Sequence, residues 1–393
     1  MTNFDAIPNR QGTSCEKWDG MKEAFGTDGL LPLWVADMDF QTPDFILAAL
    51  QDKLSQGVLG YEIYRDELLR AVASWQEKEH NFLVKEGDIL FSHGVVNGIA
   101  LALEAVTGKG EGVIYQPPVY APFFNTINEM GRVATPNPLV FQDGRWQMNF
   151  DELESLASTT CRVLLLCSPH NPVGRVWTRE ELAKLAEIAV RKNLIVISDE
   201  IHQDFCYSGH CHIPIATLDG MASRTITITA PSKTFNVAGL KGSCVIIQDE
   251  TLKEKYKSVQ SAFHLKDIGI FERCEMEAAY SQGSDWKNEL VAYLEGNRDL
   301  AYDFIKRHLP RATVAMPEGT YLMWIDFTGY GFQTSGELQD FLVKKARLAL
   351  TPATLCCEAR AFARLNLGTS RAMLEIGLER LRQAMEEYTN EEK

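Results

Sequence analysis

The chain has 393 residues, 45% hydrophobic and 23% charged, the ordinary balance of a globular protein with room for a large core. A net charge of −14 argues against a polyanionic nucleic acid as partner, and no basic stripe offsets it. No apolar run reaches the ~18 residues of a membrane span, the opening MTNFDAIPNRQGTSCEKWDG is polar, and nine cysteines without paired spacing read as reduced thiols. These features predict a cytoplasmic enzyme.

The first 33 residues read as irregular, with Gly12, Gly20, Gly26, Gly29 and Pro32 among polar neighbours. Leu33 to Phe40 follows, apolar residues giving way to Asp37 and Asp39. Thr42-Pro43 predicts a helix start, with threonine as cap and proline in the first turn. The glycine-bounded stretch 57–64 carries Tyr61 and Tyr64, whose ordinary role near glycines is packing. Leu68, Leu69, Val72, Ala73 and Trp75 then recur at helical spacing, predicting a helix over about 66–79.

A βα alternation begins at residue 88, the sign of a mostly parallel sheet covered by helices. Residues 88–91 read as a strand, and SHGVVNG (92–98) as a turn into a helix reaching about 107. A helix opened by glycine offers free N–H groups and its positive dipole end to a phosphate. The phosphate is not that of ATP or NAD: Gly108-Lys109-Gly110 lacks the upstream glycine of a Walker loop, and no GxGxxG occurs. Gly112 to Tyr115 is the next strand, followed by QPPVYAPF (116–123). Its prolines stiffen a loop at a strand's C-terminal end, where open α/β sheets place ligands.

The clearest βαβ unit is central. A strand over 162–167 ends in SPHNPVGR (168–175), and a capping box of Thr178 and Glu181 starts a helix reaching about 192. The strand 194–198 then ends in Asp199-Glu200-Ile201-His202. Thr225 to Thr229 alternates β-branched residues as a further strand, breaking at Ala230-Pro231 into Ser232-Lys233. Right-handed crossovers place Asn171, Asp199 and Lys233 on one edge of the sheet. A lysine buried there loses its charge at about 1.4 kcal/mol per pKa unit and becomes a nucleophile able to form a Schiff base. Asp199 needs a cationic partner, which a protonated ring nitrogen supplies. His202, Cys206, His210, Cys211 and His212 are metal-ligand types, but their spacing matches no standard zinc pattern and no metal is expected. A smaller lobe follows: helices over about 268–309, strands at 312–316, 321–327 and 364–366, helices at 335–346 and 371–388, and a frayed tail at 389–393.

The ordered set PLWVADMDF (32–40), GY (60–61), SHGVVNG, QPPVYAPF, SPHNPVGRVWT (168–178), SDEIHQDF (198–205), PSKTFNVAGLKGS (231–243) and RLN (364–366) spans nearly the whole chain. It resembles the fold-type I enzymes dependent on pyridoxal 5′-phosphate (PLP), and within them the MalY/PatB-type carbon–sulfur β-lyases among the class I/II aminotransferase relatives. The resemblance implies an α/β fold: a large domain (46–288) around a mostly parallel seven-stranded sheet, a smaller α+β domain (289–393), and an N-terminal segment (1–45) associated with the latter.

The resemblance also implies roles. Lys233 forms the Schiff base and moves protons at Cα; Asp199 pairs with the pyridine N–H⁺; Tyr120 stacks on the ring; Asn171 and His202 meet the ring oxygen. Gly94, Val95 and Val96, with Ser232 and Lys241, hold the phosphate. Arg364 binds the substrate carboxylate, with Asn171 and Ala36 beside it. Tyr61 completes the phosphate cup of a neighbouring subunit, so a homodimer is implied. The chain departs from the subgroup at Pro352-Ala353-Thr354-Leu355-Cys356-Cys357, where a glycine and a Phe-Gly pair are usual. The implied reaction is α,β-elimination from cystathionine, cysteine or a related thioether. An aminotransferase is the alternative, and a PLP-bound protein with a regulatory protein partner a further one.

Overall fold

The computed structural model describes residues 2–63 and 66–391; Tyr64 lies outside them. Strand β1 (Leu31–Leu33) comes first. Next come β2 (Ile89–His93), β3 (Gly112–Tyr115), β4 (Val133–Pro136) and a hairpin of β5 (Val140–Gln142) and β6 (Arg145–Gln147). Then follow β7 (Cys161–Cys167), β8 (Ile195–Asp199), β9 (Thr225–Thr229) and β10 (Gly242–Ile246). The last four are β11 (Thr313–Val314), β12 (Leu322–Asp326), β13 (Leu348–Pro352) and β14 (Phe362–Asn366).

Seven strands form the large sheet in the order β2-β10-β9-β8-β7-β3-β4. Every neighbouring pair is parallel except those of β10, which runs antiparallel to β2 and β9. Nothing in GSCVI predicts a strand by alternation, yet all five residues are buried in β10. The chain returns from β9 without a crossover helix, and a short return makes an antiparallel neighbour. The alternation in β9 likewise marks no solvent face, because all five of its residues are buried. Along β7 and β8, alternate residues go to two different apolar clusters. Leu164, Leu166 and Val196 pack with Leu182, Leu185 and Ile188 of the helix Arg179–Arg191. Val163, Leu165, Ile197, Ile226 and Ile228 pack with Val95 and Ile99 of the helix Val95–Val106. Helices cover both faces, as a parallel sheet requires.

The capping box at Thr178 and Glu181 forms as expected, with reciprocal bonds of 3.2 and 2.8 Å. Thr42 does not cap its helix. That helix runs Asp44–Ser55 with Pro43 in the cap position, and the Thr42 hydroxyl donates to Asn236 O at 3.2 Å, because the segment is tied to the lysine loop. The chain end is not frayed over 389–391. The last helix runs Arg371–Glu391, and Thr389 donates to Met385 O at 2.8 Å.

The second sheet has the order β1-β13-β14-β12-β11, so the N-terminal strand joins the C-terminal ones. A 25-residue helix, Ser284–His308, leads into it. No helix among the described residues is long and apolar enough to cross a membrane.

Behind the lysine loop, Asp204 is buried and accepts from Trp75 Nε1 at 3.2 Å, His80 Nε2 at 2.8 Å and Thr234 Oγ1 at 2.5 Å. Burial alone raises the Asp204 pKa, but the hydrogen bond and charge of His80 and the Thr234 hydroxyl more than offset it, so the net shift is downward. Asp204→Ala leaves three buried donors unmatched and is expected to cost about 3 kcal/mol or more in urea unfolding. Because the folded pKa is depressed, the carboxylate's contribution is present above the ordinary value of about 4 and is lost as pH falls through the folded one. The wild-type and variant curves therefore converge in acid.

Candidate active site

The strands β7, β8 and β9 are parallel neighbours, and their C-terminal ends bring three side chains to one edge. Asn171 follows β7 on a loop with cis peptides before Pro169 and Pro172. Its N–H meets Cys167 Sγ at 3.4 Å, and His170 Nε2 donates to Pro118 O at 2.9 Å. Burial pushes His170 down to about 4, so the ring is neutral at pH 7. Arg175 anchors the loop's far end on Glu318 at 2.8 Å and Glu181 at 2.6 Å.

Asp199 ends β8 and is 5% exposed. One oxygen accepts from Ile201 N at 3.1 Å, and no cation pairs with the carboxylate among the described residues. Burial pushes it up to about 7, against the opposing effects of the Ile201 N–H and Lys233. Lys233 Nζ donates to Ala36 O at 2.7 Å. Burial, then the positive field of Arg364, brings its pKa down to about 8. His202 is buried, its Nδ1 has no partner, and burial holds its pKa well below the usual value.

Arg364 lies on β14 with 4% exposure. Its Nη1 donates to Asn171 Oδ1 at 3.0 Å, and its Nη2 to Thr351 Oγ1 at 3.1 Å and Trp34 O at 3.3 Å. Nε has no partner, and no carboxylate pairs with this guanidinium among the described residues. A buried arginine left this way is built for an incoming carboxylate.

The segment Trp34 to Met38 forms the facing wall, and each of its five carbonyls is held by a side chain. Thr351 Oγ1 holds Trp34 O at 2.7 Å, and Asn366 Nδ2 holds Val35 O at 2.6 Å and Asp37 O at 2.7 Å. Ala36 O accepts from Lys233 and from Tyr321 OH at 2.9 Å. Met38 O accepts from Asn236 Nδ2 at 2.9 Å and Arg10 Nη1 at 3.0 Å. The segment ends in Asp39, fully buried and satisfied by Lys17 at 2.8 Å, Trp18 Nε1 at 3.1 Å and Arg10 at 3.2 Å. Tyr321, Asn366 and Asn236 carry no role in the sequence reading. The one available signal is that Asn366 and Asn236 sit inside the quoted RLN and PSKTFN motifs.

Gly94 adopts φ +90°, and a Cβ added there meets nothing within 4 Å, leaving an open cradle before the helix that starts at Val95. Val95 is buried and Val96 partly exposed. Gly242 pairs with His93, so Lys241 and Gly94 share one corner; Lys241 is exposed, and Ser232 is buried nearby in sequence to Lys233. Tyr120 is partly exposed; burial raises its phenol pKa, and it feels the fields of Arg364 and Asp199. The main chain on either side of it is gripped by the divergent loop, through Val119 N to Cys356 O at 3.0 Å and Ala121 N to Leu355 O at 3.1 Å.

Tyr61 is not brought to these residues. It stands fully exposed and lines a cavity of about 800 Å³ with the helices Asp44–Ser55 and Ile270–Gln282. The cysteine–histidine set does not converge either. His212 pairs with Glu200 at 2.9 Å, and no group of three or more metal-ligand side chains forms among the described residues. All nine cysteines are free.

An unpaired buried carboxylate, a lysine of lowered pKa and an open glycine-led helix start fit a cationic ring bearing an aldehyde and a phosphate. Comparison with known proteins points the same way. Residues 29–381 match the model of the family aminotransferase class I and II. The chain is 40% identical over 386 residues to the cystathionine beta-lyase PatB of Bacillus subtilis, covering 98% of this chain and 100% of that one. It is 33% identical to the protein MalY of Escherichia coli, covering 96% and 97%. The crystal structure of cystalysin from Treponema denticola, which contains pyridoxal 5′-phosphate, superposes with a TM-score of 0.94 at 32% identity, covering 98% and 99%. The chain belongs to the class I and II aminotransferase family of pyridoxal-phosphate-dependent enzymes.

Proposed function

We propose that this protein is a carbon–sulfur lyase that converts L-cystathionine, L-cysteine or a related thioether amino acid to pyruvate, ammonia and a thiol. The observation that carries this reading is that two buried groups without an ionic partner, Asp199 and Arg364, both act on a lysine whose pKa lies near 8. The names of the relatives PatB and cystalysin support the lyase over the transaminase.

Bound PLP supplies an electron sink for negative charge developing at the substrate Cα. Asp199 would pair with the ring nitrogen and keep its proton in place. Asn171, with Oδ1 engaged by Arg364, has its Nδ2 left and would donate it to the ring oxygen, with His202 as a second group there. Tyr120 would stack on the ring. The N–H groups of Gly94, Val95 and Val96 take the phosphate, with Ser232 and Lys241 adding a hydroxyl and a cation. Arg364 receives the substrate carboxylate through its unpaired edge, with Ala36 beside it. Lys233 in its neutral form takes the Cα proton; the Cβ–S bond breaks, and the sulfur leaves as a thiol after gaining a proton. Water then releases pyruvate and ammonia.

The site is completed in a homodimer. Val58, Leu59, Tyr61 and Ile63 are all exposed on one segment, an apolar surface suited to a second copy. Tyr61 of the partner subunit then reaches the phosphate. The N-terminal segment 1–45 belongs with the small domain (289–393), against which the large domain (46–288) sits. Nine free thiols fit the reducing cytoplasm proposed for it.

Purified protein with PLP and L-cystathionine or L-cysteine, with no keto acid added, is expected to release pyruvate, and Lys233→Ala to release none. Amino transfer that depends on a keto acid, without pyruvate, would overturn the lyase reading in favour of the transaminase. Mixing inactive Tyr61→Ala and Lys233→Ala chains regenerates one intact site per mixed dimer, so activity is expected to recover to roughly a quarter of wild type. No recovery on mixing would place Tyr61 outside a shared site. Asp199 predicts a further effect. Its raised pKa means that, in cofactor-free protein, stability falls as pH rises from about 4 toward 7. Asp199→Asn is expected to flatten that fall, stabilising the cofactor-free protein at pH 8 by on the order of 2 kcal/mol while weakening cofactor retention. An Asn variant no more stable than wild type at pH 8 would show that the buried charge is matched by another group.

A further inference from the structure

We propose that Tyr321 is a positioning residue for Lys233, acting through the carbonyl of Ala36; this rests on Lys233 being the group that moves protons. The Tyr321 hydroxyl donates to Ala36 O at 2.9 Å, and the Lys233 amine donates to the same oxygen at 2.7 Å. A carbonyl oxygen has two lone pairs, and here both are taken. The peptide cannot turn without breaking one of these bonds. Its neighbours cannot turn either, because Val35 O and Asp37 O are both held by Asn366.

The hydroxyl is itself placed by packing. Tyr321 is fully buried, and its ring lies edge-on to His202 at 5.7 Å and to Phe205 at 5.0 Å. Tyr321 enters β12 of the five-stranded sheet, while Lys233 follows β9 of the seven-stranded one. The Ala36 carbonyl is thus where the two sheets meet around the lysine. Whenever the amine is not bonded to cofactor, this oxygen is its resting place, and the phenol keeps the oxygen aimed.

The phenol also weakens the oxygen as an acceptor, because the electron density it draws toward one lone pair leaves less on the other to stabilise an ammonium. The other groups acting on the amine are Arg364 of β14, which disfavours the ammonium, and Asp37 of the N-terminal wall, Asp199 at the end of β8 and Glu16 of the short helix Glu16–Asp19, which favour it. His202 faces the same region as a neutral ring. None of these changes in Tyr321→Phe, so a shift in the amine's titration belongs to the phenol.

Acylation of Lys233 by acetic anhydride across pH, mapped by mass spectrometry in cofactor-stripped full-length protein, reads that titration directly. In Tyr321→Phe the labelling midpoint is expected to rise by about half a unit to one unit. In the PLP-loaded enzyme with L-cystathionine, kcat is expected to fall about tenfold while KM stays within about twofold. Phe205→Leu disturbs the packing of the same ring and keeps the phenol's bond. It is expected to lower the melting temperature and leave the midpoint in place. An unmoved midpoint in Tyr321→Phe, or an equal shift in Phe205→Leu, overturns the proposal. Should the wild-type enzyme release no pyruvate, the lyase reading fails, while the labelling midpoints still decide the role of Tyr321.

Discussion

Two opposite charges, each buried and neither matched by protein, govern this molecule: the carboxylate of Asp199 and the guanidinium of Arg364. A buried charge without a partner is costly, at about 1.4 kcal/mol for each pKa unit by which the protein disfavours it. Asp199 registers that cost by protonating near 7. Arg364 cannot neutralise in this way, and instead spreads its donors over three neutral acceptors, Asn171, Thr351 and Trp34 O. Both charges are tolerated because the surrounding fold is over-determined. On the proposed roles, a cationic ring beside Asp199 and an anionic carboxylate beside Arg364 would relieve the two strains, so the same cost that weakens the empty fold would favour binding.

Rigidity is what keeps the fold from relieving the strain by itself. Were the 34–38 wall mobile, Asp37 would be free to swing toward Arg364 and close the site with an internal ion pair. It is prevented by side chains that hold five successive carbonyls, and by Arg10, which binds Asp37 in a bidentate manner at 3.1 and 2.5 Å. Asp39 is consumed by Lys17, Trp18 and Arg10. Both carboxylates of the ADMD run are thus held by cations, Asp37 by Arg10 and Asp39 by Lys17 and Arg10.

The edge that carries the candidate site was legible in the sequence because it depends on local rules. Buried strands of β-branched residues end in polar clusters, crossovers set their direction, and Asn171, Asp199 and Lys233 follow from that alone. The capping box at Thr178 is similarly local. What escaped is what distant chain segments bring together. Asn366 reaches Asp37 across 329 positions and Tyr321 reaches Ala36 across 285, separations over which no periodicity speaks. Thr42 failed as a cap for the same reason: its hydroxyl found a tertiary acceptor on Asn236. β10 escaped because GSCVI itself carries no alternation, unlike TITIT of the equally buried β9, and its place depends on the return of the lysine loop. Tyr61 has no partner in its own chain's site, so its role follows from resemblance and not from any contact within one subunit.

The divergent loop Ala353 to Cys357 shapes the surroundings of Tyr120 through its main chain. Cys356 is fully buried, yet its main-chain oxygen and that of Leu355 grip the residues flanking Tyr120. Cys357 takes φ +57°, a left-handed conformation that costs a non-glycine residue about 1 kcal/mol. The loop's shape is set by that left-handed residue and by those two bonds. Leu355 stays half-exposed, so a change of side chain there alters the surface beside Tyr120 without moving the backbone that holds it. Arg364 lies on β14 and Lys233 beyond β9, neither of them on this loop. On the proposed roles, the group that would hold the amino-acid head and the loop beside Tyr120 belong to separate elements.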